Sequence, residues 1–345
     1  MLNFFQFQNG LNKFVKRGVV SSFFSNVLPP EPKIRKQQVT VFGCTGQIGF
    51  QVSKSLAKLG HSVVAVSRAR TKNNSAKLDE LYELGCNLKE TKGKRDYSTY
   101  KKFLKNTETC VFVERVTGEE IVPIQSVALK AALSEGVQCF VPTEFGSNNL
   151  VRERGIVDFL DLKKDFQDIL KQSGINYKLI FTGGFFDYFL PNLRFFEKIT
   201  TFGKMDTIYP THDLRDIGAI TARIISDPRV AKKGVQICSN LITQTQALNW
   251  LYEAFPNYKF ERIHYDSETI LKNLKTSGNE ITAKGGHETD KERWQLNKMI
   301  WIDQQLYFKD ERQTLKAHEL YPNFEYIKPQ DVLKDPIFVF GKKNY

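Results

Sequence analysis

The chain has 345 residues, more than a self-sufficient core requires, a formal net charge of +12 and five scattered cysteines. Cys44, Cys86, Cys110, Cys139 and Cys238 include no C-x-x-C pair and no histidine at ligand spacing, which argues against a zinc site or a disulfide framework and leaves buried reduced thiols. Lysines are spread along the chain without interleaved stacking aromatics, so the charge does not describe a nucleic-acid surface, and no apolar run approaches the about 18 residues of a membrane span.

Residues 1–37 carry a net charge of +5, with no acid before Glu31. Phe4, Phe7, Leu11 and Phe14 recur at helical spacing while Lys13, Lys16 and Arg17 are directed elsewhere, as in an amphipathic mitochondrial presequence. A disordered or docking extension is the alternative, with a cytoplasmic protein as its corollary. Pro29, Pro30 and Pro32 then read as a linker, so the folded body is expected to begin near Gln38.

From Gln38, β-branched runs alternate with helical stretches. The strands are predicted over Val39–Phe42, Val63–Ser67, Thr109–Val113, Cys139–Val141 and Tyr177–Phe181, with helices such as Ile48–Leu59 and Ile121–Ser134 between them. Strands separated by helices pair in parallel through right-handed crossovers, which gives an α/β fold with a doubly wound sheet. After Tyr188 the pattern is mixed: a helix around Asp216–Ile225, a strand near Val235–Cys238, and helices over Gln244–Phe255 and Glu268–Leu274. The expected organisation is an extension (1–37), a nucleotide-binding domain (38–190), and a stretch (191–345) forming mainly a smaller substrate lobe over the carboxyl edge of the sheet.

The run from Val39 to Gly49 sets a strand directly before Gly43, Cys44, Thr45, Gly46, Gln47, Ile48 and Gly49, and a helix directly after. Gly43 suits a tight turn, Gly46 a close approach of backbone to pyrophosphate, and Gly49 close packing of helix on strand, while the helix amino end offers free N–H groups to phosphate. Arg68 closes the second strand where NAD-binding chains place a carboxylate, which favours the 2′-phosphate of NADP(H). Lys77 offers a second charge, with solvated surface as the even alternative.

The G-x-x-G-x-x-G spacing and the run Phe140-Val-Pro-Thr-Glu-Phe-Gly-Ser-Asn148 resemble the atypical short-chain dehydrogenases of the isoflavone reductase-like group, which includes phenylcoumaran benzylic ether, pinoresinol-lariciresinol and eugenol-forming reductases. Gly174-Ile-Asn-Tyr, Tyr188-Phe-Leu-Pro191, Asp216-Ile-Gly218, Asp227-Pro-Arg229 and Glu319-Leu-Tyr-Pro322 follow in the family's order, so the resemblance covers about residues 38 to 335. It implies a Rossmann fold, an NADPH-dependent reductase of small aromatic or conjugated substrates, and a catalytic lysine at Lys163; Lys164 would point about 100 degrees away on a helix. Thr143, Glu144, Phe145, Thr182 and Gly183 would flank the nicotinamide, and Phe185, Phe186, Tyr188 and Phe189 would form an aromatic wall for a flat substrate, with core at a lobe junction as the alternative for each of the four. The same resemblance extends to nitrogen-repression regulators and to an accessory subunit of mitochondrial respiratory complex I, which leaves a non-catalytic NADPH-binding role as the alternative. Two loops depart from the family: Lys92-Gly-Lys-Arg-Asp96 and Glu114-Arg-Val-Thr-Gly-Glu119.

Overall fold

Hydrophobic runs too short to cover themselves set the architecture: each strand needs a helix on either face. The structure is a computed structural model that describes residues 31–280, 289–309 and 311–341. In chain order these give β1 (Gln38–Phe42), α1 (Gln47–Lys58), β2 (Ser62–Ser67), α2 (Ser75–Glu83), β3 (Asn87–Glu90), α3 (Tyr97–Leu104), β4 (Thr109–Phe112), α4 (Ile121–Ser134), β5 (Cys139–Val141), α5 (Asp158–Gln172) and β6 (Asn176–Phe181). There follow β7 (Gly184–Phe185), α6 (Phe186–Phe189), β8 (Ile199–Phe202), β9 (Tyr209–His212), α7 (Leu214–Ser226), β10 (Lys233–Gln236), β11 (Leu241–Ile242), α8 (Gln244–Ala254), β12 (Arg262–Tyr265), α9 (Ser267–Thr276), α10 (Asp290–Trp301) and β13 (Thr314–Lys316). The elements expected from the sequence are present with ends displaced by a residue or two, and the first strand begins at Gln38.

The main sheet has eight strands in the order β13-β10-β6-β5-β4-β1-β2-β3. Its pairings are all parallel. The order reverses between β1 and β4, and at such a switch point the crossovers leave to opposite faces and open a crevice at the carboxyl ends of the strands. On one face Phe42, Tyr100, Phe112, Phe140 and Phe166 form a buried file, with Phe42 and Tyr100 edge to face at 5.0 Å. On the other, α7 lies on α1 so closely that a Cβ on Gly218 would stand 2.6 Å from the Gln51 backbone.

The strand expected near Val235 is not part of a separate lobe. It is β10, three residues of which pair with Leu179, Ile180 and Phe181 of β6, and it carries β13 on its outer side. Gly234 admits this, because a Cβ there would meet Leu150, Thr314 and Phe181 at 2.8 to 3.0 Å. The stretch 191–345 therefore contributes two strands to the main sheet. Its remainder joins Phe186 in a second hydrophobic cluster with Tyr209, Leu251, Met299, Trp301 and Phe340. The 1–37 segment lies outside the described residues as far as 30.

Candidate functional site

The glycine turn follows from β1. The amides of Gly43 and Cys44 both donate to the Val66 carbonyl of β2, at 3.0 and 3.1 Å, so the chain must turn sharply, and Gly43 adopts φ +85. A Cβ on Gly43 would lie 2.5 Å from the Val113 carbonyl oxygen, and one on Gly49 would lie 2.2 Å from the Gly43 carbonyl oxygen. Gly46 is different: it is exposed, and its nearest neighbour would be the Gly43 oxygen at 3.3 Å. The Gly43 and Gly49 contacts are thus structural, and Gly46 is the one whose missing side chain leaves room on the solvent side.

Helix α1 starts at Gln47 with no side-chain cap and no acidic residue in its first turn. Its first helical bond runs from Phe50 to Gly46, so the amides of Gln47, Ile48 and Gly49 have no acceptor within the helix. Uncapped N–H groups at a positive helix end are the donor set that phosphate requires. Lys77 comes from α2 to the same place, its Nζ donating to the Thr45 carbonyl at 3.1 Å. Arg68 is exposed at the end of β2 and forms no hydrogen bond or salt bridge among the described residues. The turn, the bare helix end and two cations fit a phosphorylated dinucleotide. Burial pushes the thiol of Cys44, inside the turn, up to about 12, which favours its protonated form.

At the other end of the crevice, α5 brings Lys163 against the turn after β5. Its Nζ donates to the Glu144 carbonyl at 2.7 Å and lies 5.8 Å from the Phe159 ring. Burial pulls the Lys163 pKa below the usual lysine value, and Glu144 opposes the change. Lys164, the next residue on the helix, lies about 100 degrees round from Lys163, and burial and the Arg152 and Arg154 charges lower its pKa. The Glu144 carboxyl group does not face the crevice: it is buried, accepts from Gln167 Nε2 at 3.0 Å, and is raised by desolvation. Thr143 donates its amide to Gln125 Oε1 at 3.0 Å, and Phe145 takes a left-handed φ of 33 while its amide bonds to Ile180.

Thr182 and Gly183 both donate their amides to the Gly146 carbonyl, which joins the ends of β5 and β6. The absent side chain of Gly183 is required by Pro210, 2.6 Å from where its Cβ would be. Behind them His212 is wholly buried, with Nδ1 3.0 Å from the Thr182 carbonyl and Nε2 accepting the Ser239 amide at 3.1 Å. That pattern needs the neutral ring, and burial lowers its pKa to about 4.

The expected aromatic wall divides. Phe186 is completely buried and Phe189 packs on Tyr209 and Trp301, so these two are core; Gly184 admits the Phe189 ring, 2.5 Å from where a Cβ would stand. Phe185 and Tyr188 remain outward, and Phe195 extends them, 5.3 Å from Tyr188. The Tyr188 hydroxyl donates to Gln47 Oε1 at 3.0 Å, which links this wall to the start of α1.

Several residues at the site had no sequence signal of their own. Arg95 ties the two departing loops together, through Glu114 at 3.4 Å, Glu120 at 3.1 Å and the Arg115 carbonyl at 2.5 Å. Glu114 is buried beside Gly43, and desolvation raises its pKa. Gln167 had one available clue, its position four residues after Lys163 on the same helix. The motifs of the second half prove structural: the Tyr321 hydroxyl donates to Asp227 at 3.0 Å, and Asp216 accepts the Ile327 amide at 2.8 Å.

Among the described residues no cluster of three His, Cys, Asp or Glu could hold a metal, and no helix is long and apolar enough to cross a membrane. All five cysteines are free and buried.

The NmrA-like family profile matches residues 35–332. A phenylcoumaran benzylic ether reductase of Ginkgo biloba is 27% identical over 259 residues, which are 69% of this chain and 81% of the relative. Among solved structures, one from a set of pinoresinol-lariciresinol and phenylcoumaran benzylic ether reductases superposes with a TM-score of 0.75 at 20% identity, covering 87% of this chain and 99% of its own. The leucoanthocyanidin reductase–NADPH complex of Vitis vinifera gives a TM-score of 0.72 at 18% identity, covering 86% and 98%.

Proposed function

The chain belongs to the NmrA-like family, and on that premise we propose that it is an NADPH-dependent reductase that passes hydride to an electrophilic carbon of a small aromatic or conjugated substrate. When bound, NADPH supplies the hydride. The chain's own residues do the rest. The free Gln47, Ile48 and Gly49 amides and Lys77 would hold the pyrophosphate, and Arg68 would pair with the 2′-phosphate. Phe185, Tyr188 and Phe195 cover a flat substrate.

The observation that carries the reading is Lys163 on the Glu144 carbonyl. One of the three ammonium N–H groups is used there, and the others remain for ribose and substrate. Burial lowers the cost of releasing the proton, so Nζ can give one to the reduced substrate nearer neutral pH than an exposed lysine could. The test is NADPH oxidation by the purified chain with a panel of aromatic enones and ketones. Lys163→Ala is expected to keep NADPH affinity within a few-fold and to lose turnover by about 10²-fold, the size of an acid–base contribution, with Lys164→Ala near neutral. NADPH binding without turnover on any of the panel would overturn the reading in favour of a nucleotide-holding subunit or an NADP-sensing regulator.

A further inference from the structure

Lys163 and Gln167 stand one turn apart on α5 and grip the same residue by different groups. Lys163 Nζ donates to the Glu144 backbone carbonyl at 2.7 Å, and Gln167 Nε2 donates to Glu144 Oε1 at 3.0 Å. The i,i+4 spacing puts both side chains on one helix face. The ammonium therefore rests on the carbonyl of Glu144, and the carboxyl group is turned into the protein beneath the helix, where Glu144 and Gln167 are 4% and 2% exposed.

The carbonyl is aimed by a turn held out of its ordinary conformation. The Glu144 amide closes on the Pro142 carbonyl at 2.9 Å, and the next residue, Phe145, has a φ of 33, which side-chain-bearing residues rarely adopt. Neighbours fix it on every side: Gln125 from α4 accepts the Thr143 amide at 3.0 Å, the Ile180 carbonyl accepts the Phe145 amide at 2.9 Å, and the Gly146 carbonyl accepts from Thr182 and Gly183. Backbone motion in the turn is thus restrained. The Glu144 carboxyl group is held by the Gln167 amide, so its rotation is the freedom that loss of that amide would release.

That freedom matters because a carboxylate and an ammonium on adjacent groups, away from water, attract strongly. We propose that Gln167 is a positioning residue for Lys163: its amide holds the Glu144 carboxyl group away from the ammonium, so that Lys163 stays seated on the backbone carbonyl with its other N–H groups directed to the crevice. Without the amide, the Glu144 side chain is left with a buried, unsatisfied oxygen, and the nearest cation that relieves it is Lys163. Of the other charges, Lys164 and Lys171, both on α5, act on Glu144 from farther along the helix, and Glu144 is the charge that acts on Lys163.

The consequence for turnover rests on the reductase reading, whereas titration of the amine does not. The full chain is treated with acetic anhydride over a pH series, and acetylation of Lys163 and Lys164 is quantified by mass spectrometry of proteolytic peptides. In Gln167→Met, which fills similar volume without an N–H donor, the Lys163 midpoint is expected to rise by about one pH unit, as pairing with an opposite charge produces, while the Lys164 midpoint holds. Glu144→Gln alone is expected to give no rise, and the double variant to abolish the rise seen with Gln167→Met. Gln167→Leu, with cooperative melting as a check of folding, serves as the second donorless variant. An unmoved Lys163 midpoint in both Gln167 variants, or a rise that persists with Glu144→Gln, overturns the proposal. A wild-type chain that binds NADPH without turnover overturns the reductase reading and leaves this titration to be judged on its own.

Discussion

The Lys77 ammonium lies 3.1 Å from the Thr45 carbonyl, inside the glycine turn, while Arg68 stands exposed at the end of the neighbouring strand. On the proposed cofactor reading, the two cations would serve different parts of one ligand. Lys77→Ala is expected to weaken NADPH and NADH by a similar factor, since both carry the pyrophosphate. Arg68→Asp is expected to reverse a preference for NADPH worth about 1.5 to 3 kcal/mol, the value of a charge-assisted hydrogen bond. Calorimetric titration with both cofactors checks this, and a Lys77→Ala loss confined to NADPH would reassign Lys77 to the 2′-phosphate.

Gly49→Ala and Gly46→Ala should separate packing from ligand approach. A Cβ on Gly49 meets the Gly43 backbone at 2.2 Å, and neither partner can rotate away, so the variant is expected to lose about 1 to 3 kcal/mol of stability, as overpacked sites do. A Cβ on Gly46 meets only one oxygen, at 3.3 Å. Its variant should melt near the wild type and bind NADPH more weakly. Denaturant unfolding beside cofactor titration would show whether the two losses fall on different glycines.

Asp216 and His212 give opposing pH dependences. Burial raises Asp216 to about 6 from the ordinary 3.8, so its neutral form suits the fold and its contribution is lost as pH rises through about 6. Burial lowers His212 to about 4 from 6.5, so its contribution is present at neutral pH and is lost as pH falls through that window. Between about pH 4 and 6 the two partly cancel. Asp216→Asn, which keeps an oxygen for the Ile327 amide, is expected to raise stability at pH 8 by up to about 3 kcal/mol and to steepen the loss on acidification. Melting curves from pH 4 to 8 test it; an equal effect of the substitution at both ends would remove the assignment to Asp216.

Residues 1–37 fused to a fluorescent reporter are expected to direct it to mitochondria, because the segment is basic and free of acids before Glu31. Uniform cytosolic fluorescence would withdraw this proposal.

What the sequence determined by itself is whatever repeats locally. Strand and helix alternate with periods that a short window reveals, and Gly43, Gly46 and Gly49 mark the turn because their spacing, with a strand before and a helix after, lies within eleven residues of chain. Arg68 was legible for the same reason, as the residue that ends a strand. Tertiary structure alone decided the rest. Gln125 and Gln167 reach the Thr143–Phe145 turn from two different helices, Arg95 joins the loops after β3 and β4, which two strands separate in the sheet, and β10 returns from the second half to the main sheet. The aromatic wall was divided in the same way: Phe186 and Phe189 went inward and Phe185 and Tyr188 outward, because Tyr209 and Trp301 offered a surface on one side only. Side-chain direction depends on which partner the fold brings within contact distance, and no local spacing carries that information.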